Sequence, residues 1–177
     1  SVKEATGDLR RMAKTRALCG EDFDILSGDD DKTFEMMTLS DIRASGVISV
    51  MSNIVPGPIG EMVKALSRGD MEKADRLKDV LDPLFKVVTV NTIESYEGFD
   101  VPCKFRNPLA IKTMMKSLGL PSGPNRPPLG KMTPKGVEVV RNALKEVYAK
   151  DKEVLRPIQE FYKVNIEERL MNDRYWK

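Results

Sequence analysis

The first 55 residues alternate short apolar runs with stretches of helical periodicity. Apolar runs that predict β-strands begin at Val2, Phe23 and Gly46. Apolar residues recur at helical spacing after the first run and again over residues 33–39, and Asp8 stands where a helix N-cap is expected. This alternation is typical of βαβ units, so it predicts a parallel sheet.

After Val50 the pattern changes and predicts helices only. Proline near a helix start and glycine just after a helix end are the usual boundary signals. They mark helices over residues 58–67, 71–89, 108–119 and 134–150, with a last helix from about residue 154. Residues 91–106 and 121–133 are predicted to be loops between these helices.

These elements predict an α/β fold with only three parallel strands. Three strands cannot close a barrel, and a (β/α)8 barrel typically needs about 250 residues. The chain opens in mid-element on Ser1, without an initiator methionine. We therefore expect residues 1–68 to be the C-terminal part of a TIM (β/α)8 barrel, its last three strands, and residues 69–177 to be a helical C-terminal extension. The rest of the barrel would lie outside these residues.

The same hypothesis assigns an inner barrel face to the apolar residues of the strands. We expect Ile25, Val47 and Val50 to point to this face. Without the other strands to cover them, these side chains would be exposed.

Composition narrows the classes of function. The net charge is +2 with both signs interspersed, and aromatic residues make up 6%, which disfavours a nucleic-acid-binding protein. No apolar run approaches the length of a membrane span, and no signal peptide is visible. The distant Cys19 and Cys103 favour a reduced, cytoplasmic protein. The chain has no histidine. We therefore expect no nucleophile pair of the Ser-His or Cys-His kind and no His-ligated metal site within these residues.

Lys3 is the leading candidate for chemistry. A lone lysine is usually a solvated surface charge. Lys3, however, ends an apolar strand just before a turn into a helix, and in parallel α/β folds that edge carries the active site. Dehydration at such an edge favours the neutral amine, which attacks a ketone to form a carbinolamine and then an iminium.

The acidic loop at residues 27–31 has several interpretations. It is not an EF-hand-type Ca²⁺ loop, because Phe34 occupies the sixth position counted from Asp29, where glycine is required. Its three aspartates would repel a phosphate. Asp30 and Asp31 equally fit an N-cap of the following helix. Gly28 suggests a backbone that a ligand approaches closely.

Five segments resemble the dihydrodipicolinate synthase family, in its order and spacing, across residues 1 to about 147. The segment VKEATG, which begins at Val2, is similar to the segment that carries the family's Schiff-base lysine. The segment SGDD, which begins at Ser27, is similar to the end of the family's next strand. The others are GVISV followed by Asn53, NPLAIK with Ala110 in place of the family's proline, and RPPL, which begin at residues 46, 107 and 126.

The resemblance implies a lyase without a cofactor. Lys3 would form a Schiff base with pyruvate, and the derived enamine would attack aspartate semialdehyde to give 4-hydroxy-tetrahydrodipicolinate for lysine biosynthesis. The backbone carbonyl of Ile48 would lie beside the pyruvate, and Gly28 would line the same pocket. The complete protein would be a cytoplasmic homo-oligomer.

The resemblance also implies that catalysis needs residues outside this chain. The family's proton-relay threonine and tyrosines and its carboxylate-orienting arginine precede the lysine strand, so we expect the chain to be catalytic only with the N-terminal half. Two alternatives remain. One is a sister pyruvate aldolase, such as N-acetylneuraminate lyase or ketodeoxygluconate aldolase. The other is a non-catalytic helical interaction module.

Overall fold

Three short strands form the predicted parallel sheet. In the computed structural model, which describes residues 1–177, β1 (Val2–Glu4), β2 (Ile25–Ser27) and β3 (Gly46–Val47) lie in the order β1-β2-β3. Helix α1 (Leu9–Cys19) follows β1, and α2 (Thr33–Thr38) follows β2. The Asp8 side chain accepts hydrogen bonds from two backbone N–H groups of the first turn of α1, which confirms the predicted N-cap.

The chain falls into two units. The first comprises residues 1–52 and 56–82, and the second comprises residues 53–55 and 83–177. Helix α3 (Pro56–Arg68) belongs to the first unit, and α4 (Met71–Phe85) runs into the second. None of the helices has the length and apolar character that crossing a membrane requires.

One core cluster of the first unit lies on one face of the sheet. Met12 of α1, Ile25 of β2 and Met36 of α2 are completely buried there, together with Ile42. The prediction that Ile25 lines an open inner face is therefore wrong. Side chains alternate along a strand, so an assignment shifted by one residue exchanges the two faces. By this alternation the opposite face carries Leu26.

A buried arginine binds the loops at the amino-terminal edge of the sheet. Arg16, near the end of α1, is 7% exposed. Its guanidinium donates hydrogen bonds to the carbonyl oxygens of Gly20, Glu21, Phe23, Ile42 and Arg43. These carbonyls belong to the loops that lead into β2 and β3, so Arg16 fixes both strands at the edge opposite their carboxyl ends.

The second unit contains a β-hairpin that we did not predict. Strands β4 (Val90–Tyr96) and β5 (Phe99–Phe105) pair in antiparallel register. Glu97 and Gly98 connect them, and both have positive φ values, 51° and 85°. Positive φ at both loop residues is typical of a type I′ turn. The prediction of a loop over residues 91–106, and of helices only after Val50, is wrong.

Four helices complete the second unit: α5 (Leu109–Leu118), α6 (Pro134–Lys150), α7 (Arg156–Tyr162) and α8 (Ile166–Met171). The first two confirm the predicted helices within a residue at each end. The last predicted helix is instead broken between α7 and α8, where Lys163 adopts a left-handed conformation with φ of 52°. Asn165 then caps α8 by accepting a hydrogen bond from the Glu168 N–H at 2.9 Å.

The segment after residue 150 packs on the earlier helices of its unit. The Arg169 guanidinium donates to the Ser117 carbonyl of α5 at 3.0 Å, and Arg141 of α6 donates to the Leu170 carbonyl at 2.7 Å. The Trp176 indole N–H donates to the Arg169 carbonyl at 2.8 Å. These bonds make the C-terminal segment an integral part of the unit.

Candidate functional site

The carboxyl ends of the three parallel strands bring the three predicted site residues onto adjacent strands. Lys3 of β1 pairs in register with Leu26 of β2. One residue beyond β2, the Gly28 N–H donates to the Glu4 carbonyl at 2.7 Å. One residue beyond β3, the Ile48 N–H donates to the Ser27 carbonyl, also at 2.7 Å. Lys3, Gly28 and Ile48 therefore lie side by side at one edge of the sheet.

Gly28 lies directly against the Lys3 side chain. A Cβ atom built at Gly28 would lie 2.8 Å from Lys3 Cε and 2.7 Å from Ala5 Cβ, both too close for a carbon–carbon contact. The missing side chain thus provides the space through which the lysine passes. This explains the glycine by contact with Lys3, where the sequence suggested only close approach by a ligand.

Lys3 itself is exposed to solvent, and Ile48 is 45% exposed. We expected Lys3 to be dehydrated at this edge, but these 177 residues do not bury it. The Ile48 side chain leaves an apolar surface at the same edge of the sheet, one strand beyond Gly28. The edge therefore presents one amine next to a glycine and a partly uncovered aliphatic group.

The acidic loop after β2 connects the neighbouring strand ends. Asp30 is 4% exposed. One carboxylate oxygen accepts from the backbone N–H groups of Val50 at 2.9 Å and Met51 at 3.2 Å, and the other accepts from the Ser49 hydroxyl. On the other side, Asp29 accepts from the Gly7 N–H at 3.0 Å.

The N-cap interpretation is wrong for Asp30, because both oxygens of its carboxylate accept hydrogen bonds from the loop after β3. Neither the short 3₁₀ turn at residues 30–32 nor α2 has a side-chain N-cap hydrogen bond. The sequence analysis also missed Ser49, which it considered only as a nucleophile. Asp30 lies three residues beyond β2 and Ser49 two residues beyond β3, so matching spacing did not reveal the pair; only their shared position after neighbouring parallel strands could have suggested it.

Two hydroxyl groups hold the loop from within. The Ser27 hydroxyl donates to the Asp29 carbonyl at 2.9 Å. The Thr33 hydroxyl of α2 lies 3.1 Å from both the Ser27 hydroxyl and the Asp29 carbonyl. Ser27 and Thr33 are both completely buried, so the polar atoms that shape the loop are shielded from water.

Electrostatics at the loop are dominated by carboxylates. Burial raises the pKa of Asp29 above its ordinary value, and the nearby charges of Asp31, Glu4 and Asp30 act in the same direction. The hydrogen bond from the Gly7 N–H opposes the shift. This density of negative charge supports the interpretation that the loop does not bind phosphate.

The chain is similar to known synthases over most of its length. The dihydrodipicolinate synthetase family matches residues 1–147. A 4-hydroxy-tetrahydrodipicolinate synthase from Thermoanaerobacter pseudethanolicus is 37% identical over 143 residues, which cover 81% of this chain and 42% of that protein.

Solved structures agree. The 4-hydroxy-tetrahydrodipicolinate synthase of Methylacidiphilum fumariolicum superposes with a TM-score of 0.68 at 29% identity. The superposed part covers 90% of this chain and 46% of that synthase. The dihydrodipicolinate synthase of Aquifex aeolicus gives 0.65 at 35% identity, covering 81% and 43%. These neighbours are TIM-barrel proteins. The chain thus spans less than half the length of the relatives it matches.

Proposed function

This chain belongs to the dihydrodipicolinate synthetase family, and from that premise we propose that Lys3 is the Schiff-base lysine of a 4-hydroxy-tetrahydrodipicolinate synthase. The observation that carries the proposal is the contact between Lys3 and Gly28, where no side chain fits beside the lysine. Gly28 leaves room for the Lys3 side chain at the carboxyl edge of the parallel sheet. Such room is what a lysine needs if its amine is to reach a substrate bound at that edge.

The proposed chemistry begins with the neutral amine of Lys3. It attacks the ketone carbon of pyruvate, and loss of water leaves an iminium. Loss of a proton from the pyruvate methyl group then gives an enamine, whose carbon attacks the aldehyde of aspartate semialdehyde. The electron pair that the departing proton leaves behind is delocalised onto the iminium nitrogen, so the reaction needs no other electron sink.

Gly28 and Ile48 are proposed to line the pyruvate subsite. Both are joined to their neighbouring strand by 2.7 Å backbone hydrogen bonds, so their main-chain positions are fixed relative to Lys3. The hydrogen bonds of Asp30 to the backbone of Val50 and Met51 hold the loop that follows Ile48. Rigid positioning of this kind favours reaction over mere binding.

Catalysis is proposed to require more than these residues. Lys3 is exposed in the chain, whereas a reactive amine benefits from dehydration. The relatives are more than twice as long as the matched region, since it covers 42% of the synthase from Thermoanaerobacter pseudethanolicus. We propose that the preceding part of the barrel supplies both the cover over Lys3 and the acid–base groups.

Reductive trapping tests the assignment of Lys3. The chain is combined with the complementing amino-terminal part of a synthase, incubated with pyruvate and treated with borohydride. The peptide that contains Lys3 should gain the mass of the reduced pyruvate adduct. Lys3→Arg should abolish the adduct, because a guanidinium stays protonated and cannot attack. Lys14→Arg, at an exposed position on α1, is the matched control and should leave it intact.

An adduct that persists in Lys3→Arg would refute the assignment. The second substrate is tested separately, by offering the pyruvate-loaded protein aspartate semialdehyde, N-acetylmannosamine or glyceraldehyde. Turnover with aspartate semialdehyde alone would support the synthase. Turnover with a sugar aldehyde alone would identify a sister aldolase while leaving the role of Lys3 unchanged.

A further inference from the structure

The second unit contains a cavity of about 690 Å³ that the proposed reaction does not use. It is bounded by α5, by the loop at residues 122–132, by the start of α6 and by residues 175–177. Its volume falls within the range of about 300–1,000 Å³ that is usual for small-molecule sites.

The charged side chains at the cavity are all lysines. Lys112, Lys116, Lys131 and Lys177 line it, and no aspartate or glutamate side chain does. Lys116 donates to a main-chain carboxylate oxygen of the last residue, Lys177, at 3.1 Å, and Lys112 donates to the Pro124 carbonyl at 2.8 Å. Neither Lys112 nor Lys131 forms an ion pair with a carboxylate, so their positive charge is available to a ligand.

The remaining wall is largely apolar. Leu129, Met132, Val137 and Trp176 contribute to it, and Leu129 is 36% exposed. Trp176 is held by its indole N–H, which donates to a carbonyl, and by the Arg141 guanidinium, which lies 5.7 Å from the ring centre. The ring, which is 9% exposed, is therefore a fixed part of the cavity wall.

Asn125, in the loop that bounds the cavity, has a fixed side chain. The Asn125 side-chain nitrogen donates to the Gly130 carbonyl at 3.0 Å, which fixes the orientation of the amide. Its oxygen is buried and accepts no hydrogen bond from the protein. Asn125 therefore holds its part of the cavity wall through the bond to Gly130.

From these features we infer that the cavity binds an amphipathic organic anion. The anionic group lies at Lys112 and Lys131, and the apolar body packs on Leu129 and Trp176. This site is separate from Lys3 and does not depend on the proposed reaction.

The probe pair 8-anilinonaphthalene-1-sulfonate and N-phenyl-1-naphthylamine tests the inference. Both molecules have the same aromatic body and N–H group, but only the first carries an anion. Trp176 is the only tryptophan in the chain, so energy transfer from it reports binding at the cavity. We expect saturable, single-site transfer to the sulfonate, with an affinity at least about tenfold above that of the neutral probe. This difference should shrink as salt is added.

Matched lysine variants locate the anion site. Lys112→Met with Lys131→Met should weaken binding of the sulfonate by at least about tenfold and leave the neutral probe unchanged. Lys104→Met with Lys145→Met removes the same charge at residues that do not line the cavity, and it should have little effect. If loss of the Lys112 hydrogen bond unfolds the double variant, Lys131→Met alone decides.

Three results would overturn the inference. They are equal affinity for the two probes, equal loss in the cavity and control variants, and transfer from Trp176 that never saturates. The first would show a purely apolar pocket, and the second a general effect of net charge. The third would indicate nonspecific adsorption of the dye.

Discussion

Gly28 illustrates how one missing side chain shapes the candidate site. A methyl group at this position would approach Ala5 Cβ to 2.7 Å and Lys3 Cε to 2.8 Å. Lys3 is flexible and can move, but Ala5 Cβ is fixed to the backbone of the chain just after β1. Any side chain at residue 28 must therefore displace either the lysine or the strand end.

We predict that Gly28→Ala impairs both stability and Schiff-base formation. Overpacking should lower the free energy of unfolding by about 1–3 kcal/mol. Displacement of the amine should slow borohydride trapping of pyruvate by about tenfold to 100-fold. Gly57→Ala is the control, because a Cβ atom there meets nothing within 4 Å. Trapping at the original rate in Gly28→Ala would show that the contact with Lys3 has no functional role.

Asp30 makes a different kind of contribution, since it acts only on its neighbours. We predict that Asp30→Asn lowers the free energy of unfolding by about 1–3 kcal/mol, because an amide cannot accept from Ser49 and from both backbone N–H groups at once. Asp31 pairs with Lys32 at the surface, so Asp31→Asn should change the free energy of unfolding by less than about 1 kcal/mol. Urea denaturation measures both, and equal effects would contradict the special role of Asp30.

At the residue scale, the sequence could reveal the candidate site but not the hydrogen bonds that hold its loops. Lys3 ends an apolar run and Gly28 follows the next one, and the carboxyl ends of parallel strands meet at one edge. Ile48 lies inside the run that begins at Gly46, and only the resemblance to the family pointed to it. The bond between Asp30 and Ser49 joins residues 19 apart along the chain, and no local pattern encodes it. The exposure of Lys3 was also beyond the sequence, because burial depends on everything packed around it.

At the scale of elements, periodicity located the helices and missed the hairpin. Some helix ends were wrong, since the helix predicted over residues 71–89 ends at Phe85. Helix α6 has the predicted bounds because proline, helical spacing and length all agree. In the hairpin, Pro102 argued against a strand, and the connecting Glu97-Gly98 pair is not among the usual Asn-Gly or Asp-Gly turns. The hairpin packs closely on α6, where a Cβ atom at Gly136 would lie 2.9 Å from the Phe105 ring.

The turn of the hairpin offers a stability prediction. Glu97 has a φ of 51°, in the left-handed region that costs most residues about 1–2 kcal/mol. Asparagine tolerates this region, so Glu97→Asn should raise the free energy of unfolding by about 0.5–1 kcal/mol. Glu97→Gln removes the same charge without that tolerance and should give little gain. A gain of the same size in Glu97→Gln would assign the effect to charge instead.

At the scale of the whole molecule, the α/β class was predicted correctly, because alternation of strand and helix determines it. That the strands are the last three of a barrel stays a prediction. The matched region covers 43% of the Aquifex aeolicus synthase, so most of such a barrel has no counterpart in these residues. In the three-stranded sheet, β1 and β3 each have one edge without a neighbouring strand.

The last prediction concerns this chain by itself. Unpaired strand edges recruit other strands. Ile48 adds apolar surface at 45% exposure, and a fully exposed aliphatic side chain forgoes about 1.5–3 kcal/mol of a total stability of about 5–15 kcal/mol. We therefore expect the purified 177-residue chain to self-associate, as measured by light scattering after size-exclusion chromatography, and to show no turnover of pyruvate with aspartate semialdehyde.

Two variants and one addition separate the causes. Ile48→Ser should weaken self-association, whereas Leu18→Ser, at a 76% exposed position on α1, should not. Adding the amino-terminal part of a related synthase should restore a defined oligomer and activity together, because the same strands would cover the sheet edge and supply the acid–base groups. A monomeric chain that unfolds cooperatively and turns over both substrates alone would refute the proposal that catalysis requires more of the barrel than these residues provide.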